Sequence, residues 1–224
     1  MFSEMFFKLW DNGLIQLGIW ETIYMTFISS AIAYLIGLPL GVILCVTDSK
    51  GICPNKPVNK ILGFIVNFFR SIPFIILMVA MLPVAKLIVG TSLGNKAMIV
   101  MLIIAAAPYV ARMCESSLSE VSGGVIEAAQ SMGANNFEII MKVLIPEAKP
   151  ALITGAAISV VTILGYSAMA ATIGGTGLGQ IAIIYGHQRS NPDITWVCVF
   201  LTVIIVQIIQ ELGMFIVKKT DKRL

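Results

Sequence analysis

Apolar runs at 22–46, 72–89, 97–113, 151–173 and 194–217 leave this chain few ways to fold. Each approaches the roughly 20 apolar residues that a helix needs to cross hydrocarbon. In that solvent every backbone N–H and C=O has to be satisfied within its own segment, which favours helices. Composition agrees. The chain is 58% hydrophobic and 12% charged, with a mean hydropathy of +0.92, where soluble domains carry roughly 25% charged residues. The reading is an all-α integral membrane protein with five spans in one domain, residues 1–224. A formal charge of +3, dispersed along the chain, argues against nucleic acid as a partner.

Two segments suit the membrane surface. Residues 58–69 are apolar on one side but interrupted by Lys60, Asn67 and Arg70, as an interfacial helix would be. The residues before Thr22 look similar, with Trp10 and Trp20 suited to headgroup depth. Glu4 and Asp11 and the absence of a basic start argue against a cleaved signal peptide. With five spans the termini lie on opposite sides. Lys50, Lys56, Lys60, Arg70, Arg112, Lys142, Lys149, Lys218, Lys219, Lys222 and Arg223 fall on one side. Only Lys8, Lys86, Lys96 and Arg189 fall on the other. The positive-inside rule puts the C-terminus and the 115–149 loop in the cytoplasm, and the N-terminus outside.

That loop holds a polar island, EAAQSMGANNFEIIMKVLIP, from Glu127 to Pro146. Glu127, Asn135, Asn136, Glu138 and Lys142 exclude it from hydrocarbon, yet it has helical periodicity. Ala128, Ala129 and Met132 share one face, and Phe137, Ile140, Val143 and Leu144 another. Gly133 suits a tight turn between two short helices. An apolar face on the water side needs a partner.

The spacing of Glu127-Ala128-Ala129, Gly133 three residues later, and Val143-Leu144-Ile145-Pro146 after nine more resembles the EAA loop of type I ABC importer permeases. Tyr185-Gly186-His187-Gln188-Arg189 is similar to a stretch of the methionine-importer branch, although Ser190 stands where an aromatic is expected. The resemblance covers nearly the whole chain. It implies a permease subunit of the bacterial inner (cytoplasmic) membrane, working by alternating access beside a second copy of itself. It further implies two cytoplasmic ATPase subunits that use ATP and Mg, and an extracytoplasmic substrate-binding protein. Glu127, Ala128, Ala129, Gly133 and Pro146 would then form the ATPase-coupling site. The two alanines would seat in the ATPase groove, Glu127 would make polar contacts, Gly133 would turn the chain, and Pro146 would stop the loop before the fourth span.

Other constellations read more plainly. No GxxxxGK motif followed by Ser or Thr occurs, so the sequence carries no phosphate loop and no catalytic site is expected. Gly174-Gly175-Thr176-Gly177-Leu178-Gly179 lacks the lysine and reads as a compact turn. Cys45, Cys53, Cys114 and Cys198 have no paired spacing, and His187 is the single histidine, so no metal site is expected. In the fourth span Gly155, Ser159, Thr162, Tyr166 and Met169 recur at helical spacing. They suit close packing, with hydroxyls bonding across a helix contact, or a translocation path at a subunit interface. Arg70 can reach headgroups from its span end. Gln207 and Glu211, four apart, suit a hydrogen bond into the bundle. A stand-alone ion-coupled carrier would want an acid within the bilayer, and only Glu211 and Arg70 come near. A membrane enzyme would want a cluster of His, Ser or acids that the spans lack. The sequence leaves the exact substrate open.

Overall fold

The computed structural model describes residues 4–220 and contains no strand among them. A short helix, α1 (Glu4–Asp11), is separated from α2 (Leu14–Thr47) by Gly13 at φ 71°. The first span is therefore continuous from residue 14, and Trp20 belongs to it rather than to a separate surface helix. Next come α3 (Lys56–Ser71), α4 (Phe74–Val89) and α5 (Asn95–Ser119). The polar loop forms α6 (Gly123–Ser131) and α7 (Asn136–Ile139). A π turn (Ile140–Leu144) leads into α8 (Ile145–Ala170), closed by a 3-10 turn (Ala171–Ile173). The glycine turn precedes α9 (Leu178–Ile181) and a second π turn (Ala182–Gln188), and α10 (Pro192–Thr220) ends the described chain.

Four stretches, led by α2, α5, the 136–173 helix and α10, are long and apolar enough to span, and the α3–α4 pair makes a fifth if its bend lies within the membrane. That bend is 108°. Its cause is local: proline disfavours helical geometry in the preceding residue, and Ile72 is extended at φ −83°, ψ 126° before Pro73. The side chain of Asn59 donates to the Leu44 carbonyl at 2.9 Å, tying the start of α3 to the end of α2. Val66 is the one fully buried residue of α3, while Ile61, Phe64, Ile65 and Phe68 are exposed. The helix expected at 58–69 is thus present, with most of its apolar side chains uncovered.

Small residues decide how closely the spans approach, because packing rather than a hydrophobic force holds helices together in lipid. A methyl group on Gly37 would lie 2.7 Å from Val110, and one on Gly41 would lie 2.6 Å from the Ala111 carbonyl oxygen. These two glycines set the α2–α5 seam. Gly155 meets Met113 on α5, and Gly213 of α10 meets Ala157 of α8. Met25, Met78, Met98, Met101 and Leu102 fill the central core.

Candidate coupling and translocation sites

At the polar-loop end the two short helices are present and Gly133 joins them at φ 81°. Its amide donates to the Gln130 carbonyl at 2.9 Å and the Ala134 amide to the Ala129 carbonyl at 3.1 Å, closing the turn. Asn135 and Glu138 form a capping box that starts α7. Lys142, 2.9 Å from Glu138, holds that carboxyl below its usual range, helped by the Asn135 amide. The Asn136 side chain contacts the Cys53 sulfur at 2.8 Å, bracing the loop against the α2–α3 turn.

The structure divides the five loop residues differently from the expectation. Glu127 and Ala128 are exposed, but Ala129 is 3% exposed and packs within the chain. It is already seated and has no face left for a partner's groove. Ile139 takes the buried position, and Phe137, on the apolar face expected on the water side, is 72% exposed. With Met132, 81% exposed, it gives the loop an uncovered apolar surface on both sides of Gly133. Pro146 is also exposed, but it does not stop the loop. Helix runs on from Asn136 through α8, because the Ile145 amide bonds the Ile140 carbonyl in a widened turn just before it. A π turn relieves the crowding that a proline ring imposes on the preceding turn of an α-helix. Behind α6 lies a cavity of about 530 Å³, lined by Cys45, Asp48, Lys50, Glu115, Glu127 and Gln130 among others.

The fourth-span stripe is also divided. Ser159 is fully buried, and its hydroxyl donates to the Gly155 carbonyl of its own helix at 2.7 Å. Thr162 bonds its own Ile158 carbonyl at 2.9 Å, whereas Ser159, besides that bond within its helix, faces the Tyr34 hydroxyl of α2. Tyr166 stacks on Phe74, ring centres 4.3 Å apart and planes 7° apart. Met169 is half exposed on the outer face of the helix. Gln207 and Glu211 likewise point out of the bundle, exposed on α10, with no hydrogen bond to another described residue. That corrects the inward bond expected of them. Arg70 is exposed and joins none of the ion pairs among the described residues.

At the opposite end the glycine run is the compact turn expected of it, with Gly174 and Gly177 at φ 90° and 96°. Sequence reasoning missed what it docks onto. The Thr176 hydroxyl donates to the Asn95 side-chain oxygen, and the Asn95 amide donates to Glu21 at 2.9 Å. Thr22 accepts from the Leu178 amide at 2.9 Å. Polar residues at the starts of two spans were the available signal. Beyond the turn, the Arg189 guanidinium lies 4.6 Å from the centre of the Tyr185 ring. Ser190 has a φ of 56°, a backbone that a bulky aromatic would adopt only under strain.

Residues 37–224 match the family described as binding-protein-dependent transport system inner membrane component. The chain belongs to this family of membrane permeases. A probable D-methionine transport system permease protein of Vibrio cholerae is 49% identical over 95% of each chain. The methionine import system permease protein of Bacillus subtilis is 47% identical over 91% of this chain and 92% of its own. Among solved structures, an inward-facing MetNI methionine ABC transporter superposes with a TM-score of 0.93 at 45% identity, covering 98% of this permease and all of that chain. An amino acid ABC transporter at 19% identity and a TM-score of 0.79 has the same fold.

Proposed function

We propose that this permease imports methionine as a homodimer, driven by two ATPase subunits and fed by a binding protein on the opposite face. The substrate follows the methionine transport for which relatives at 47–49% identity are named. The carrying observation for coupling is the exposure of Met132 and Phe137 on a loop in which α7 is capped and braced against the α2–α3 turn. Exposed apolar groups of this kind mark an interaction surface. The excess of Lys and Arg on that side supports a cytoplasmic position for it. Since the sequence has no phosphate loop, nucleotide chemistry belongs to the partner.

In this mechanism ATP binding closes the ATPase pair and carries the α6–α7 loop with it. Because α7 runs unbroken into α8, displacement of Phe137 is delivered directly to the fourth span. The spans open toward a docked binding protein, and hydrolysis returns them to the inward-facing state. Glu127 and Ala128 supply the exposed rim of the coupling surface, while Ala129, Gly133 and Pro146 set its shape. The test is uptake of L-methionine by the full assembly in proteoliposomes. Gly133→Asp or Glu127→Lys should abolish uptake while leaving the permease in the membrane. Normal uptake by either variant would overturn the coupling assignment.

A further inference from the structure

Beside the α3–α4 bend lies a second cavity, of about 240 Å³, walled by Phe69, Arg70, Phe74, Tyr109 and Tyr166, with Leu77 and Ala105 behind. That is smaller than the 300 Å³ and upward typical of drug-sized ligands, and suits one small solute. The Arg70 guanidinium stands at the cavity wall in no ion pair among the described residues, a cation available to an anionic solute.

We infer that this cavity is a transit site for the substrate in which Arg70 receives an amino-acid carboxylate. The guanidinium matches a carboxylate bidentately. The phenol oxygens of Tyr109 and Tyr166 offer acceptors for the α-ammonium group, and aromatic rings attract cations and thioether sulfur. The stacked pair Phe74–Tyr166 joins α4 to α8, so the site spans two helices that the transport cycle moves relative to each other. The inference rests on the importer reading, and it names where in this chain the cargo is held. Anionic lipid could offer Arg70 a phosphate in place of the carboxylate, so the test separates the two.

The full assembly, with its ATPases and binding protein, is placed in nanodiscs and proteoliposomes, and L-methionine uptake and ATP hydrolysis are measured together. Arg70→Gln should lower uptake about tenfold or more, the effect of removing a charge-assisted hydrogen bond. Binding-protein-stimulated ATP hydrolysis should stay within about twofold of wild type. Arg70→Lys should restore part of the uptake, and Tyr166→Phe, which keeps the stack, should give a smaller loss. Uptake by Arg70→Gln at the wild-type rate would overturn the site but leave the importer reading intact. Equal loss of hydrolysis and uptake, unrescued by lysine, would make Arg70 structural and overturn the site. If wild type in purely zwitterionic lipid falls to the Arg70→Gln level and the variant ignores lipid composition, the ligand is an anionic lipid headgroup and the site fails. No methionine uptake by wild type would overturn both readings.

Discussion

The two ends of this molecule solve opposite problems. At the glycine-turn end, polar groups from two spans and the turn itself satisfy one another: Thr176 with Asn95, Asn95 with Glu21, Thr22 with Leu178. Glycines at 18, 177 and 179 bring the backbones together, so little room remains. At the polar-loop end, short-range bonds fix each helix, yet Met132 and Phe137 stand exposed and a cavity of about 530 Å³ opens behind α6. One end satisfies its polar groups within the chain, and the other leaves apolar side chains exposed where the proposed coupling would meet a partner. Substitutions at the first end should therefore act on folding, and those at the second on transport.

The largest effect expected is at Gly177. Its φ of 96° strains any side chain, and a methyl group would lie 2.6 Å from the Thr22 hydroxyl that holds Leu178. Gly177→Ala should destabilise the permease by about 2–4 kcal/mol, combining backbone strain with overpacking. Thermal unfolding in detergent would read this, and an unchanged melting temperature would remove the contrast between the ends. At the other end, Met132→Glu with Phe137→Glu should cut ATP-coupled uptake more than tenfold, as expected for hot-spot contacts worth about 2 kcal/mol. Stability should change by no more than about 0.5 kcal/mol per site, because both side chains are already exposed. Unfolding of the double variant would show that the loop packs within the chain after all.

Gly133 tests the comparison more finely. No atom lies within 4 Å of a methyl group added there, so the positive φ alone opposes substitution. The left-handed conformation costs roughly 1–2 kcal/mol for an ordinary residue and less for Asn. Gly133→Asn should retain more uptake than Gly133→Val, and the reverse order would implicate something other than backbone shape. The smallest effect is at Glu138. Its pKa is depressed by Lys142 and the Asn135 amide. Its contribution to starting α7 is thus complete above the ordinary carboxylate range and is lost as pH falls through the lowered value. Acid unfolding of α7, followed by exchange of the 135–139 amides, should begin at lower pH than for an unpaired carboxyl. In Glu138→Gln that step should vanish.

Much of the architecture was legible in the residues. The five apolar runs, the helix α3 and the turn at Gly133 follow from periodicity, transfer cost and backbone sterics, which are local properties. The candidate sites were only partly legible. Periodicity assigns faces without saying which one turns inward, so it did not show that Ala129 packs within the chain while Met132 stays exposed. Pro146 read as a stop because proline breaks an ideal α-helix, but the π turn before it let the helix continue. The hydroxyls of Ser159 and Thr162 turned to their own helix, an option that sequence spacing does not distinguish from a bond across a contact.

By itself the sequence determined that this chain spans a membrane as helices, and which of its loops is too polar for hydrocarbon. Burying polar backbone and charge in hydrocarbon is too unfavourable to leave other choices. Tertiary structure alone decided which residues of that loop remain uncovered, that Glu21, Asn95 and Thr176 meet, and that Arg70 borders a cavity beside two tyrosines. Those meetings join residues far apart in the chain, and they depend on how closely glycine lets two backbones approach, which no single segment encodes.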